Sequence, residues 1–323
     1  MARLIESVVG HEPLINSLFH LKAQKRWPHA FLFVGPAAIG KKQMALAFAQ
    51  ILVCENSDSA CGTCGPCLRI AKQQSENLIL IEPDGALVKP VIKVEAIRGL
   101  LDSLSLASWQ GCRVIIINNA HTMNAQAANA LLKSLEEPFE NTYFFLIGPD
   151  VHSFLPTIRS RSQVLQFHAL SIADLKKIKP GLAEWAYEAS QGQIDRLLQL
   201  ASGDGAEKRT ESFQFMEQFF SDADFLLHAN WRQQVKDKAW SLVTIQSWLQ
   251  MIFQSVKAKA LAKNSSDAIS QDHIKYFKML DCISSEKILD LATHLVHAEK
   301  EILSNSDPVL IFEKMWVHYA RVD

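Results

Sequence analysis

The sequence predicts an α/β domain built on a parallel sheet, followed by segments that are helical throughout. Short apolar runs alternate with helical stretches over the first half of the chain, which is the pattern of a parallel sheet covered on both faces. After about residue 168 no convincing strand follows, and apolar residues recur at spacings of three and four. A glycine-bearing loop directly after the first apolar run favours a phosphate-binding version of this architecture.

Four apolar runs are predicted to be strands, at residues 29–34, 77–82, 113–117 and 142–147. The helices predicted between them lie at residues 43–53, 97–106 and 124–137. We expect Asn124 to be the N-cap of the third helix and Pro138 to end it.

The second half of the chain shows two apolar helical stripes. They comprise Leu242, Ile245, Leu249, Ile252 and Val256, and then Ile288, Leu291, Leu295, Ala298 and Ile302. The small and polar run 201–210 is a plausible linker. These features divide the chain into an α/β domain at 1–168, a small helical domain at 169–208 and a helical C-terminal domain at 209–323.

The bulk composition is that of an ordinary soluble protein. Of 323 residues, 48% are hydrophobic and 21% are charged, and the formal net charge is −1. This balance gives no long-range attraction to nucleic acid, so a role on DNA would depend on a local patch or on partner subunits. The N-terminal residues lack a signal-peptide core, and no run approaches a membrane span, so we expect a cytoplasmic location without membrane contact.

The loop after the first strand fits the G-x-x-x-x-G-K part of a phosphate loop. Gly35 and Gly40 would let backbone N–H groups turn toward a phosphate, and Lys41 would neutralise its charge at the start of the next helix. The alternative is an ordinary strand-to-helix turn that binds nothing. The position between a buried strand and a helix favours the phosphate loop.

The residues that would hold Mg²⁺ beside such a loop are replaced. Lys42 stands where a Ser or Thr hydroxyl should bind the ion, and its charge opposes a metal. Asn118 and Asn119 stand where acidic residues should end the third strand, and neutral amides are poor Mg²⁺ ligands and cannot act as a base. We therefore expect a hydrolytic site that has decayed, the alternative being strands that never formed one.

Four of the six cysteines lie within fourteen residues, spaced C-x6-C-x2-C-x2-C. Cys54, Cys61, Cys64 and Cys67 can close a tetrahedral zinc site without an open position, so the predicted Zn²⁺ is structural. The alternative is a set of free cysteines. Cys112 and Cys282 stand alone, and we expect them to be packing residues.

Four motifs in order resemble the clamp-loader subunits of bacterial DNA polymerase III. They are the phosphate-loop segment HAFLFVGPAAIGKK, the cysteine module, AANALLKSLEEP at 127–138, and LPTIRSRSQ at 155–163, which is similar to a Ser-Arg-Cys motif. The resemblance covers roughly residues 1–200. It implies an AAA+ fold with an inserted zinc module, a small helical lid domain and an all-α collar domain for oligomerisation.

Within that family the resemblance favours the delta-prime type, which does not hydrolyse ATP. Gly148 and Pro149 stand where an active subunit would place a polar sensor residue, and Arg196 matches the arginine of the second sensor. Ser162 replaces the usual Cys of the Ser-Arg-Cys motif. The usual delta-prime subunit can retain more of the phosphate loop, so ATP binding in this chain's own site stays open.

The resemblance implies a stator in a five-subunit ring that loads a sliding clamp onto primed DNA during replication. Its partners would be delta and gamma/tau-type subunits, and the chain would be part of a DNA-directed DNA polymerase holoenzyme without ATPase activity of its own. Arg161 would act in trans as an arginine finger on the ATP of a gamma-type neighbour, with Arg159 as the competing candidate.

Two other classes of function remain. One is an active P-loop ATPase, such as a gamma-type clamp-loader subunit, a helicase loader or a nucleotide kinase, which would need an acidic residue in place of Asn118. The other is a zinc-ribbon module that binds nucleic acid. The residues 55–60 between the first two cysteines are acidic and polar, which disfavours that module.

Overall fold

A computed structural model describes residues 3–24, 26–83, 90–106, 111–228, 230–260 and 284–320. The chain forms two compact units, the first comprising Met1–Gly181 with Gln191–Asp195 and the second Leu182–Ser190 with Arg196–Asp323. The first is an α/β unit and the second is helical. The division into three domains stays a prediction.

The α/β unit is built on a parallel sheet with the strand order β2-β3-β4-β1-β5. The strands are β1 (Ala30–Val34), β2 (Leu78–Ile81), β3 (Arg113–Ile117), β4 (Thr142–Gly148) and β5 (Gln163–Gln166). The four predicted strands are confirmed to within one residue at each end. The edge strand β5 was not predicted, because its sequence is QVLQ and it is only half-buried at its centre.

Both faces of the sheet are covered, which is why β1 is apolar at every position and β3 is apolar after Arg113. Alternate residues of a strand point to opposite faces. From β1, Leu32 and Val34 pack with the helices at 94–106 and 125–136. Phe31 and Phe33 belong to an aromatic cluster on the other side, where the Phe31 and Phe145 rings stack at 5.5 Å.

The helices in the described part of the α/β unit are α1 (Glu12–Ala23), α2 (Lys41–Val53), α3 (Gly65–Ala71), α4 (Val94–Leu106), α5 (Ala125–Glu136), α6 (Pro156–Arg159) and α7 (Ile172–Ile178). The predicted cap of α5 is confirmed, since the Asn124 side chain accepts a 2.8 Å hydrogen bond from the Ala127 N–H. Cys112 is half-buried at the start of β3, and Cys282 lies outside the described residues.

The described part of the second unit consists of α8 (Glu184–Ala189), α9 (Ile194–Ala201, whose first two residues belong to the α/β unit), α10 (Gly203–Ser221), α11 (Asn230–Val235), α12 (Lys238–Ala260), α13 (Ser285–Leu303) and α14 (Pro308–Ala320). The predicted linker at 201–210 is wrong. Ser202 caps α10 by accepting a hydrogen bond from the Gly205 N–H, so the polar run is the first half of a helix.

The two predicted apolar stripes lie on α12 and α13 as expected, and both pack into the core of the helical unit. All five stripe residues of α13 are buried, and those of α12 are buried or packed against the same core. The core also holds Phe215, Trp248 and Phe312. No helix among the residues that the structure describes is both long and apolar enough to cross a membrane.

Candidate nucleotide site, metal centre and arginines

The phosphate loop lies at the carboxyl end of β1, between β4 and β5. The strand order reverses at β1, and such a switch point leaves a crevice outside the strand ends where α/β proteins bind ligands. Gly35 has no room for a side chain there, because a Cβ atom would come within 2.4 Å of the Phe167 carbonyl oxygen. Gly40 caps α2 in a left-handed conformation, with φ at 96°. The sequence thus forms the predicted loop at the predicted place.

Lys41 turns onto its own loop. Its ammonium donates hydrogen bonds to the carbonyl oxygens of Gly35 and Pro36, and only 8% of the residue is exposed. Burial lowers the pKa of Lys41 to about 8. A phosphate entering the loop would have to draw this ammonium away from two carbonyl groups.

Lys42 lies beside the ends of the next two strands. Its ammonium contacts both carboxylate oxygens of Glu82 at 3.1 Å, and the Asn118 amide donates a 2.7 Å hydrogen bond to the same carboxylate. The parallel register that pairs Ile81 with Ile117 brings Glu82 and Asn118 together, because each follows its strand by one residue. We call Lys42, Glu82 and Asn118 the ammonium–carboxylate network.

Glu82 is a site residue that sequence analysis missed. Burial alone would raise its pKa, but the hydrogen bond from Asn118 and the ammonium of Lys42 hold the pKa below its ordinary value. The carboxylate is therefore ionised at neutral pH and already neutralised by a cation of the protein. An acidic residue directly after an apolar strand was the signal that could have found it.

The remaining nucleotide-site residues fall outside this network. Asn119 is exposed and takes a left-handed conformation, with φ at 52°. At Gly148 an added Cβ would lie 2.4 Å from the Phe154 ring, so a polar sensor side chain would have to displace that ring. Pro149 accepts a 3.0 Å hydrogen bond from the Gly35 N–H, which ties the end of β4 to the phosphate loop.

His121, which sequence analysis also missed, lies next to the same strand ends. Its Nδ1 atom is buried, and burial is the main cause of its lowered pKa; Asp150 partly opposes this effect, and Lys41 adds to it. It lines a cavity of about 370 Å³ together with Phe154 and residues at the start of α5. Neutral His121 is thus positioned at the loop but makes no contact with the ammonium–carboxylate network.

The four clustered cysteines come together as predicted. Their sulfur atoms lie within 4.8 Å of one another, and the Cys61 and Cys67 sulfurs are 4.0 Å apart. A tetrahedral ion with metal–sulfur bonds of about 2.3 Å separates its ligands by about 3.8 Å. The Cys54 sulfur accepts from the Cys61 N–H, and the Cys61 sulfur from the Cys64 N–H, each at 3.3 Å. The cluster could hold a metal ion.

The protonation of these thiols depends on their surroundings. Hydrogen bonds from the backbone N–H groups of Thr63 and Cys64 lower the pKa of Cys61 to about 5, so it is a thiolate at neutral pH. Burial raises the pKa of Cys67 to about 12. A second thiolate in this place needs a cation to stabilise it, which a bound metal ion would supply.

Arg161 lies between α6 and β5, half-buried. Its guanidinium forms an ion pair with Glu136 at the end of α5 and donates a 3.0 Å hydrogen bond to the Thr157 carbonyl oxygen. Arg159 is also half-buried, and its side chain makes no hydrogen bond or ion pair within the described residues. Both arginines are therefore on one edge of the α/β unit, and Arg161 is the one held in a fixed position.

Arg196 belongs to the helical unit, in α9, whereas the phosphate loop belongs to the α/β unit. Burial lowers its pKa, and Glu299 of the same unit partly offsets that effect. Its proposed role as a second sensor stays a prediction.

Residues 10–171, half of the chain, match the family model described as DNA polymerase III, delta subunit. The chain belongs to this family. Two relatives named DNA polymerase III subunit delta-prime place it with the delta-prime type, as the motifs predicted. One, from Bacillus subtilis, is 27% identical over 91% of this chain and 92% of its own length. The other, from Pseudomonas aeruginosa, is 40% identical over 41% of each chain.

The Escherichia coli DNA polymerase III subunit tau is 34% identical over 67% of this chain. The chain spans 33% of the tau subunit's length and 41% of the Pseudomonas relative's. Among solved structures, a gamma-subunit-related protein from Thermotoga maritima is 17% identical, covering 94% of this chain and 98% of its own, with a TM-score of 0.45. The RuvB branch migration motor of the same organism is 15% identical with a TM-score of 0.43, covering 83% and 87%.

Proposed function

We propose that this chain is the non-hydrolysing, delta-prime-type stator of a DNA polymerase III clamp loader, acting in the cytoplasm during DNA replication. Its partners are gamma/tau-type and delta subunits, and it reaches the sliding clamp and primed DNA through the complex. The ammonium–carboxylate network is the observation that carries this proposal, because it fills the place where a P-loop ATPase holds Mg²⁺.

Hydrolysis of ATP depends on a metal ion that bridges the phosphates and neutralises the charge that develops on them. Here the Lys42 ammonium neutralises Glu82, and Asn118 donates to the same carboxylate instead of offering an acidic ligand. A Mg²⁺ ion would have to displace a cation of the protein to reach the one carboxylate of this network. Gly148 provides no polar sensor side chain either.

One observation favours the alternative of an ATP-hydrolysing subunit. Glu82 is an acidic residue adjoining Asn118, and it could hold Mg²⁺ if Lys42 moved away. The two functions differ in their metal dependence. An active site in this chain would show Mg²⁺-dependent turnover that Glu82→Gln abolishes, whereas the stator has no turnover to lose.

We propose that Arg161 is the arginine finger. A guanidinium can meet the terminal phosphate of a neighbour's ATP with two parallel hydrogen bonds, and such fingers in GTPases contribute about 10³–10⁵-fold in rate. The pair with Glu136 supports this role, since it holds the side chain in place on the edge of the α/β unit. Arg161 would exchange Glu136 for the phosphate when the neighbour docks.

The finger is tested by reconstituting the loader with three variants of this chain. Arg161→Ala and Arg161→Lys should assemble normally but lower the clamp- and DNA-stimulated ATPase at least about tenfold, because lysine lacks the planar fork. Arg159→Ala is the matched control and should retain that ATPase. Loss in Arg159→Ala alone would move the role to Arg159, and normal ATPase in all three variants would remove the finger.

We propose that the four cysteines bind one structural Zn²⁺. Four thiolates favour zinc over harder cations, and a closed set leaves no position for a substrate. Between Cys54 and Ala71 the buried side chains are only Ala60, Cys67 and Ile70, so the module has little core of its own and the ion would stabilise it.

We propose that the helical unit provides the lid and the collar, with its partner surface on α13 and α14. Leu289, Val296 and Leu303 are spaced by seven residues on α13 and are 60%, 39% and 66% exposed. Leu310, on α14, is 63% exposed. Apolar residues seven apart share one helix face, so α13 has an exposed apolar face beside its buried stripe, of the kind that binds partner helices.

A further inference from the structure

The last two helices bring two histidines and one carboxylate together. Asp290 and His294 are one turn apart on α13, and His318 lies on α14. Their donor atoms all lie within 4.8 Å of one another. This group belongs to the helical unit and is separate from the four cysteines, which belong to the α/β unit.

Asp290 is at the centre of the group. One of its carboxylate oxygens lies 3.1 Å from Nε2 of His318, and the other lies 3.8 Å from Nε2 of His294. A tetrahedral zinc ion with bonds of about 2.0–2.2 Å keeps its donors about 3.3–3.5 Å apart. Each Asp–His separation is close to that value, but the two separations are to different oxygens of Asp290. All three side chains are at least one-third exposed, so small rotations can close the set.

The surroundings support the carboxylate as a ligand. The Tyr319 hydroxyl donates a 3.3 Å hydrogen bond to the Asp290 oxygen that contacts His318, and such outer contacts fix the orientation of metal ligands. His294 and His318 also line a cavity of about 450 Å³ that contains Glu301 and Lys314, whose charges offset each other. The cavity gives solvent access to the site.

The alternative is a set of surface ion pairs between the helices. Such exposed pairs contribute about 0–1 kcal/mol each, and one histidine on each carboxylate oxygen, as observed, satisfies them. Two imidazoles that reach one carboxylate from two helices also match the ligand preference of zinc-class ions. We propose that Asp290, His294 and His318 bind a divalent transition-metal ion such as Zn²⁺, which joins α14 to α13 and keeps one coordination position open.

The test is equilibrium dialysis of the full-length chain against Zn²⁺, followed by elemental analysis. His294→Ala and His318→Ala should each bind one ion fewer than the wild type. His297→Ala, in the same cavity but outside the group, is the matched control and should bind as many ions as the wild type. Tyr319→Phe should weaken this ion's binding about tenfold or more, as loss of an outer contact does.

Wild type and histidine variants all keep the four cysteines, so any ion bound there is counted equally in each. The difference in ion count therefore reports only on the histidine site. Circular dichroism identifies a variant that fails to fold. In that case NMR of the histidine rings in the wild-type chain tests the site instead of the ion count. The ring signals of His294 and His318 should shift together as Zn²⁺ is added. Equal ion counts in the wild type and in the folded His294 and His318 variants would overturn the site. Histidine signals that do not respond to Zn²⁺ would do the same.

Discussion

Replacing Glu82 by Gln tests whether the ammonium–carboxylate network stabilises the α/β unit. A hydrogen bond to a charged group contributes about 1.5–3 kcal/mol, and an exposed ion pair about 0.2–1 kcal/mol. Glutamine keeps an acceptor for Asn118 but loses the charge, and the Lys42 and Glu82 side chains are 34% and 42% exposed. We therefore expect a loss of about 1 kcal/mol in the free energy of unfolding, or about 2–4 °C in melting temperature.

The pH dependence has a definite sign. The pKa of Glu82 is lower in the folded chain than in the unfolded chain, so its ionised form favours folding. The difference in the free energy of unfolding between wild type and variant should reach its full size above the ordinary carboxyl pKa of about 4.3. It should disappear as the pH falls through the pKa of Glu82 in the folded chain.

Native-state hydrogen exchange is the suitable assay, because it reports on the α/β unit by itself. The Asn118 N–H bonded to the Ile81 carbonyl oxygen is a direct probe beside the network. Glu6→Gln is the control, since it removes an exposed ion pair with Arg3, at an expected loss of about 0.2–0.5 kcal/mol. An equal effect in both variants at pH 7, or an effect of Glu82→Gln that does not decrease as the pH falls below about 4.3, would refute the reasoning.

The other predictions concern the cysteine cluster, the proposed partner surface on α13 and α14, and the residues that replace a Mg²⁺ site beside the phosphate loop. Cys64→Ser should release about one equivalent of Zn²⁺ in elemental analysis and increase proteolysis within residues 54–67, while the exchange protection of the sheet is retained. Leu289→Asp with Leu303→Asp should weaken co-purification with gamma-type subunits without unfolding the chain, because both side chains are exposed. Lys42→Thr with Asn118→Asp should increase Mg²⁺-dependent ATP binding in calorimetry but not produce turnover, since Gly148 still provides no sensor side chain.

The central strands could be predicted because their burial is complete. A strand covered on both faces is apolar along nearly its whole length, as β1 is throughout and β3 is after Arg113, and such runs stand out in the sequence. The edge strand β5 has exposed glutamines at both ends, so its sequence does not distinguish it from a loop. The run 201–210 was misread for a related reason, since small and polar residues also suit a capped helix start.

The phosphate loop and the cysteine cluster were predictable because their residues are close in sequence. The ammonium–carboxylate network was not, because Lys42, Glu82 and Asn118 meet only when β2 and β3 pair in register. The group around Asp290 also depends on tertiary packing, since His318 reaches it from another helix. In each case the sequence shows the residue types but not their contacts.

The most direct test of the central claim is ATP turnover in a reconstituted loader whose gamma-type subunits all carry a disabled phosphate-loop lysine. The phosphate loop of this chain would then be intact, whereas the phosphate loops of all gamma-type subunits would be disabled. We predict no turnover above background, because the Lys42 ammonium occupies the metal's place beside Glu82. Turnover of about 1 s⁻¹ or more, within the ordinary range of enzymes, that disappears when Lys41 of this chain is replaced by Met would contradict the account.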